Sequence, residues 1–187
     1  NPFATATTAA GRDALVHTLE SRFTVDVEHT THRGHASELG AAAVAAGHDA
    51  VLVHGGDGTV NETVNGMLGA PADFTTRPQP QLGVIPGGSA NVFARTFGVN
   101  ADPLPATRQH IELLETGQHR SIGLGHTADR WFLFNTGMGM DAIVVREMER
   151  KRHNGKTATP SRYLWTTVTS FFANATNPAS FTAHVPG

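Results

Sequence analysis

The sequence has 187 residues, a formal net charge of −2 and no cysteine. Its length suits one large domain, or one domain with part of a second. The near-neutral charge excludes a global field that attracts nucleic acid, and the lack of cysteine excludes disulfides and thiolate metal sites. No apolar run approaches the length of a membrane-spanning helix. This composition favours a globular protein of the reducing cytoplasm.

Helices and strands alternate over the first part of the chain. The spacing of apolar residues predicts helices over 12–23, 35–46, 59–68 and 104–115, with a short helix ending at Phe97. Short apolar runs predict strands over 25–29, 50–53 and 82–85. This alternation predicts an α/β fold in which helices cover both faces of a parallel sheet.

The pattern changes near Gly117, where an antiparallel unit begins. Residues 120–125 and 130–135 predict two strands of a hairpin, with Ala128 and Asp129 in the turn. The further predicted elements are a charged helix over 142–151, an amphipathic helix over 162–172 and a strand over 181–185. We therefore expect an α/β domain over residues 1–118 and an incomplete antiparallel β domain with inserted helices over residues 119–187.

The segment His54-Gly55-Gly56-Asp57-Gly58-Thr59 connects a predicted buried strand to a helix predicted from Thr59, with Thr59 near the expected N-cap. Glycines let backbone N–H groups approach a ligand, and the helix start adds a positive dipole end. The segment therefore predicts a phosphate-binding loop, in which the Asp57 carboxylate orients a metal ion or a hydroxyl. The alternative is a tight turn without a ligand, although a plain turn needs one glycine rather than three.

A second glycine turn, residues 86–91, follows the next predicted strand. Ligands of parallel sheets bind at the carboxyl ends of the strands, so both turns belong to one site if their strands are neighbours. Ser89 can donate to a phosphate oxygen or cap the following helix. Two adjacent phosphate-binding loops suit a nucleoside triphosphate.

A third glycine turn, Asn135-Thr136-Gly137-Met138-Gly139-Met140-Asp141, lies at the end of a predicted strand. Its glycines alone are a weak signal, because they also suit the closure of a hairpin. Asn135 and Asp141 add a polar pair at the place where a cleft between two domains is expected.

Two further patterns have competing interpretations. His29, His32 and His35 recur at intervals of three, but no carboxylate completes a set at zinc spacing, so solvated loop histidines are favoured over a zinc site. A basic cluster precedes an apolar helix face, which suits either a solvated face beside core packing or docking on anionic lipid. The basic residues are Arg146, Arg150, Lys151, Arg152 and Lys156, and the apolar residues are Leu164, Trp165, Val168, Phe171 and Phe172.

Taken together, these motifs resemble the diacylglycerol kinase catalytic-domain family, which is related to sphingosine kinases and more distantly to NAD kinases. The resembling segments are Asn1-Pro2 for an opening phosphate-loop motif, Thr30 before Gly34 for a nucleotide-contacting threonine, residues 55–61 for the central nucleotide motif, residues 88–91 for a glycine-threonine-alanine-asparagine motif, and residues 135–141 for the start of the second domain. Ser89 replaces the usual threonine and keeps its hydroxyl.

The resemblance implies a lipid kinase that transfers the γ-phosphoryl group of ATP to a lipid hydroxyl such as that of diacylglycerol, with ATP and Mg²⁺ as cofactors. It implies catalytic roles for Asp57 and Asp141, and substrate contacts from Asn91 and Asn135. The residues that it implies for nucleotide binding are Asn1, Thr30, Gly55, Gly56, Asp57, Gly58, Thr59, Val60, Asn61, Gly88 and Ser89.

The family's general base and its structural magnesium ligands have no match here, so we expect a truncated chain that lacks the general base. Two alternatives remain, a NAD-kinase-like enzyme with a soluble acceptor and a non-catalytic nucleotide-binding fragment. A Rossmann dehydrogenase is disfavoured because the glycine spacing and the following acidic residue are missing. The expected partner is a lipid substrate at the inner face of the membrane, without nucleic acid, and a sheet edge could support a homodimer.

Overall fold

The structure is a computed structural model of the chain. It describes residues 1–2, 8–76, 78–134, 137, 140–153 and 165–170. The chain divides into two compact units, Asn1–Phe134 and Asn135–Gly187. The domain boundary that the sequence predicts after residue 118 stays a prediction.

The first unit alternates helices with two strands and ends in a hairpin. Its elements are α1 (Ala9–Glu20), α2 (His35–Ala46), β1 (Ala50–Gly55), α3 (Asp57–Leu68), β2 (Gln81–Pro86), α4 (Val92–Thr96), α5 (Pro103–Glu115), β3 (Gly125–Thr127) and β4 (Arg130–Phe132). A short 3₁₀ helix, Pro71–Asp73, follows α3. In the second unit, α6 covers Met140–His153 and residues 165–170 are helical.

Strands β1 and β2 are neighbours and run in parallel. Ala50 lies opposite Gln81 at one end of the ladder, and Gly55 lies opposite Pro86 at the other. The carboxyl ends of both strands therefore meet at one edge, and the glycine turns that follow them start side by side. The predicted α/β architecture with a parallel sheet is confirmed.

The antiparallel unit is confirmed as a hairpin, but it is shorter than expected. Pairing extends only from Gly125 opposite Phe132 to Thr127 opposite Arg130. Residues 120–124, which we expected to belong to the first strand, have no regular structure. The turn contains Ala128 at a φ of 47°, a left-handed conformation.

A compact apolar cluster lies beneath the two turns. It joins Val53 of β1 and Val84 of β2 to Val60 of α3 and to Phe93 and Ala94 of α4. Each buried valine or phenylalanine side chain of the cluster contributes about 1.5–3 kcal/mol. The cluster therefore fixes the first turns of α3 and α4 against the sheet, and with them the two glycine turns.

Helices α2 and α3 pack through glycines. A Cβ atom at Gly40 would overlap the Thr63 carbonyl oxygen, and one at Gly66 would overlap the Ser37 carbonyl oxygen. The two backbones therefore touch directly. This contact brings the segment that precedes α2 beside α3, where the Gly34 amide donates to Glu62 Oε2 over 3.0 Å.

The strand expected over residues 25–29 does not form. Residues 24–31 have no regular structure. Val27 is 44% exposed. Within the described part of the chain, no strand pairs with this segment. Alternation of apolar and polar residues favours a strand only where a neighbour supplies the hydrogen bonds.

Candidate active site

The first glycine turn is shorter than the sequence suggested, because only Gly56 separates the end of β1 from the start of α3. Gly55 is the last residue of β1, Gly56 is the N-cap of α3 with φ −93° and ψ 178°, and Asp57 is the first helical residue. The helix therefore begins two residues before the expected start at Thr59, because the extended Gly56 already directs the chain into it. The first amide groups of a helix have no intrahelical acceptor. Residues 57–59 consequently present donors at the positive end of the α3 dipole.

The two glycine turns touch each other. The Gly87 amide donates to the Gly55 carbonyl over 3.0 Å. A Cβ atom on Gly88 would lie only 2.6 Å from the Gly56 Cα. Both turns thus share one edge of the sheet, at a separation that leaves no room for a side chain at Gly88.

Asp57 joins the two turns. Its Oδ1 accepts a hydrogen bond of 3.0 Å from the Phe93 amide, in the first turn of α4. The N-cap residue of α4, Asn91, makes no side-chain cap hydrogen bond. The carboxylate of Asp57 therefore serves as a cap from another element, a role that the sequence had suggested for Ser89.

Asn91 folds the second turn back on itself. Its Oδ1 accepts from the Gly88 amide over 2.9 Å, and its Nδ2 donates to the Gly88 carbonyl over 2.7 Å. Asn91 and Gly88, expected to contact substrate and nucleotide, thus engage each other. Ser89 lies exposed in the same turn.

Asn1 and Thr30 approach α3 from different segments. Asn1 Nδ2 donates to Thr59 Oγ1 over 2.9 Å, and its amino group donates to the His54 carbonyl over 3.0 Å. Thr30 is half-buried and lies four residues before Gly34, whose amide holds this segment against α3. The structure therefore brings Asn1 directly to the first turn, and it brings the segment of Thr30 to the flank of the same helix.

The other residues expected at the site lie in the core, on α3 or in the second unit. Val60 is 1% exposed and its amide donates to the Gly56 carbonyl, so it belongs to the core. Asn61 is half-buried, and its carbonyl accepts from Asn65 Nδ2 over 2.8 Å. Asn135 lies outside the described residues. Asp141 belongs to α6 in the second unit, and its side chain is also outside the description.

A cavity of about 440 Å³ lies beside α3. Its lining includes Arg33, Gly34, Glu62, Asn65, Asp129 and Arg130. No motif in the sequence indicated this cavity, because its walls come from three separate segments. The available signal was weak: Gly34 follows the segment of Thr30, and Glu62 and Asn65 follow the central nucleotide motif, but no sequence pattern joins these segments to the hairpin.

The hairpin forms one wall of the cavity and is attached to α3 by Asn65. The Nδ2 and Oδ1 atoms of Asn65 bind the carbonyl and the amide of Trp131, each over 3.0 Å. The Trp131 indole nitrogen donates to the Gly69 carbonyl over 2.9 Å. Asn65 thus takes the place of a strand partner on the edge of β4 that faces away from β3.

No sequence pattern indicated that His54 is an unusual histidine. Its Nε2 is buried and has no hydrogen-bond partner among the residues that the structure describes. Burial, followed by the positive charges of the amino terminus and of Arg12, lowers the pKa of His54 to about 4. His54 therefore lies neutral at the end of β1, directly before the first glycine turn.

The histidine-rich segment does not assemble a metal site. His32 and His35 stack with ring centroids 4.7 Å apart, and His32 Nε2 lies 3.2 Å from Glu38 Oε1. Within the described ranges, no group of three or more histidine, aspartate or glutamate side chains could hold a metal ion.

The basic and apolar patterns fall in the second unit. Arg150 pairs with Glu147 over 2.9 Å on α6. In the helical residues 165–170, Trp165 is 68% exposed, whereas Thr166 and Ser170 are buried. Trp165 is therefore not packed in a core, one of the two interpretations of the apolar face, and Leu164, Phe171 and Phe172 of that face lie outside the described residues. Among the described helices, none is both long and apolar enough to cross a membrane.

The model of the diacylglycerol kinase catalytic domain matches residues 1–127. The chain is 33% identical over 134 residues to the protein named "Probable lipid kinase YegS-like" of Chromohalobacter salexigens, covering 72% of this chain and 40% of that protein. It is 36% identical over 110 residues to the diacylglycerol kinase of Bacillus subtilis, covering 59% of this chain and 33% of the relative.

Solved structures give the same result. A crystal structure of a diacylglycerol kinase from Bacillus anthracis matches with a TM-score of 0.52 and 32% identity, covering 60% of this chain and 37% of that one. The chain therefore spans two fifths or less of the length of these relatives. The glycine turns, the parallel strands and these matches place the chain in the diacylglycerol kinase catalytic domain family.

Proposed function

We propose that this chain binds ATP and belongs to an enzyme that transfers the γ-phosphoryl group to a lipid hydroxyl, such as that of diacylglycerol. The observation that carries the proposal is the contact between the two glycine turns, with the Asp57 carboxylate between them. The names of the relatives, diacylglycerol kinase and lipid kinase, support the acceptor class.

In this proposal the protein mainly positions the phosphates. The amide groups of residues 57–59 and the exposed Ser89 hydroxyl bind phosphate oxygens, because helix starts and glycine turns favour anions. Asn1 holds Thr59 through its side-chain amide and thereby orients the first helical turn. Phosphoryl transfer depends mostly on such positioning and on neutralising the developing charge.

The donor set of the site fits Mg²⁺. This ion is usually bound by one or two carboxylates together with phosphate oxygens, and Asp57 supplies a carboxylate directly at the phosphate-binding turn. When bound, Mg²⁺ neutralises charge on the transferred phosphoryl group. The hydrogen bond from Phe93 fixes one oxygen of this carboxylate, so the orientation of the side chain is set before any ligand binds.

We further assign Asp141, Asn91 and Asn135 to alignment of the lipid hydroxyl, on the resemblance of their segments to the family. Diacylglycerol resides in membranes, so the enzyme would work at the membrane surface. Two expectations from the sequence stay predictions. One is that the protein forms a homodimer, and the other is that its general base is none of the residues assigned above.

The test is an assay of the complete protein with labelled ATP and Mg²⁺. It offers mixed micelles that contain diacylglycerol, a sphingoid base or a phosphatidyl alcohol, and NAD in a parallel reaction. We expect a labelled phospholipid product and no labelled NADP. Labelled NADP without a lipid product would favour the NAD-kinase-like alternative, and binding of ATP without any product would favour a nucleotide-binding module.

A further inference from the structure

We infer that Asn65 and Trp131 are positioning residues for the proposed phosphoryl transfer. They attach β4, the strand that leads to the Asn135 motif, to α3, the helix that begins at the phosphate-binding turn. This inference rests on the proposed function, since it assigns a role in the same reaction. It concerns two residues that lie outside the glycine turns.

Asn65 binds the backbone of Trp131 through both atoms of its amide group. Its Nδ2 donates to the Trp131 carbonyl and its Oδ1 accepts from the Trp131 amide, each over 3.0 Å. The same Nδ2 also donates to the Asn61 carbonyl over 2.8 Å. Both N–H groups of the Asn65 side chain are therefore engaged, and it has no donor left for a ligand. Its role is to hold the hairpin rather than to contact substrate.

The Trp131 side chain adds a second attachment to the same helix. Its indole nitrogen donates over 2.9 Å to the carbonyl of Gly69, the C-cap residue of α3. The ring also packs edge-on against Phe74 and His126, with centroids 5.3 Å and 5.4 Å apart. Trp131 is thus fixed both to the middle and to the end of α3.

The chain after Trp131 is attached once more before the first unit ends. Leu133 packs against the apolar cluster that lies beneath the two glycine turns. Phe134 is the last residue of the first unit, and Asn135 follows it. Two attachments, at Trp131 and at Leu133, therefore come directly before the motif that we assign to alignment of the lipid hydroxyl.

Helix α3 carries both the phosphate-binding turn and the attachment of the hairpin. Asp57 begins the helix and Asn65 lies eight residues further, about 12 Å along its axis. Phosphoryl transfer requires close alignment of the reacting atoms, and a displacement of about 1 Å can lower the rate by about a hundredfold. Loss of the Asn65 contacts would loosen the strand that leads to Asn135 while leaving the start of α3 in place. The inference therefore predicts a slower transfer step with unchanged ATP binding.

The test measures lipid kinase kinetics and, by isothermal titration calorimetry, ATP affinity on the complete protein. It compares the wild type with Asn65→Ala, which removes all three hydrogen bonds of the side-chain amide. We expect Asn65→Ala to lower kcat at saturating diacylglycerol about tenfold or more, with ATP affinity unchanged. The stoichiometry of ATP binding reports the folded fraction, so it should stay at the wild-type value. The control Gln118→Ala removes an exposed amide side chain and should change none of these quantities.

A milder variant tests the indole hydrogen bond. Trp131→Phe removes only the bond to Gly69 and keeps an aromatic ring and the backbone bonds to Asn65. It should lower kcat by a smaller factor, whereas Trp165→Phe, at the exposed second tryptophan of the chain, should leave kcat unchanged. If Asn65→Ala fails to fold by circular dichroism, this pair decides the question, and equal kcat values for the two tryptophan variants would overturn the inference.

Three further results overturn the inference. Wild-type kcat in a folded Asn65→Ala would show that the attachment has no part in the reaction, while the proposed function stays intact. Parallel losses of kcat and ATP affinity would indicate that Asn65 acts on the nucleotide or on the fold as a whole. Failure of the wild type to phosphorylate any lipid would overturn the proposed function and the inference together.

Discussion

The amide nitrogen of Phe93 donates a hydrogen bond to the Asp57 carboxylate over 3.0 Å. This bond connects the first residue of α3 to the first turn of α4, although the two residues are 36 positions apart in the sequence. Asp57 therefore has a structural role as a helix cap in addition to its proposed role at the phosphates. Variants at this position have to separate the two roles.

Asp57→Asn keeps an oxygen that accepts from Phe93 but loses the negative charge. We expect a stability loss below about 1 kcal/mol, from the weaker interaction with the α3 dipole, and a loss of turnover of at least about a hundredfold. Urea unfolding and the lipid kinase assay of the complete protein measure the two effects. Asp73→Asn, at an exposed aspartate outside the site, is the control.

Asp57→Ala removes the cap as well as the charge. The lost cap should add about 1 kcal/mol of destabilisation relative to Asp57→Asn, with turnover equally low. Appreciable turnover in either variant would contradict the catalytic assignment. Equal stability of the two variants would contradict the capping role.

Gly88→Ala should separate the two glycine turns. Its Cβ atom would lie 2.6 Å from the Gly56 Cα, so one backbone has to shift. We expect ATP affinity, measured by calorimetry, to fall by about tenfold or more because the two sets of phosphate donors no longer converge. Gly123→Ala is the matched control, since a Cβ atom there meets nothing within 4 Å. Unchanged ATP binding by Gly88→Ala would argue against a shared site.

Gly58→Ala separates stability from ligand binding. A Cβ atom at Gly58 meets nothing within 4 Å, and the position is helical. Alanine should therefore raise the free energy of unfolding by up to about 1 kcal/mol, while its methyl group obstructs close approach of a phosphate to the backbone. The expected outcome is a higher melting temperature together with weaker ATP binding. Equal ATP affinity would indicate that phosphates do not approach this part of the turn.

His54 predicts a dependence of stability on pH. Its pKa in the folded protein is lowered to about 4, whereas an unfolded histidine titrates near 6.5. Between these values the unfolded chain binds more protons, so stability falls as pH falls from about 6.5 towards 4. His54→Gln cannot titrate and should lose less stability over this interval in urea unfolding at several pH values.

The exposed His29 provides the control for that experiment. His29→Gln makes the same side-chain change at an exposed position, so it reports the effect of the substitution away from the buried His54. Parallel curves for the wild type and His54→Gln would contradict the lowered pKa of His54.

The sequence predicted the glycine turns and the parallel sheet because their signals are local. An apolar run followed by Gly55-Gly56 indicates a strand that ends in a tight turn, and the same pattern recurs before Gly87-Gly88. The relation of the turns then follows from the general rule that parallel strands align their carboxyl ends.

The remaining features depend on contacts between distant residues. The strand expected around Val27 needed a neighbour that periodicity does not report. The bond from Phe93 to Asp57 and the attachment of Trp131 to Asn65 each join elements more than thirty residues apart. Neither partner carries a sequence pattern that names the other, so only the folded arrangement reveals them.

The pairing of Asn65 with Trp131 has a consequence for self-association. An unpaired strand edge offers amide and carbonyl groups to a second chain, but at Trp131 both groups are engaged by the Asn65 side chain. Another molecule that extends the hairpin through this residue would first have to displace Asn65. A single side chain thus shields this position of β4 from intermolecular sheet formation.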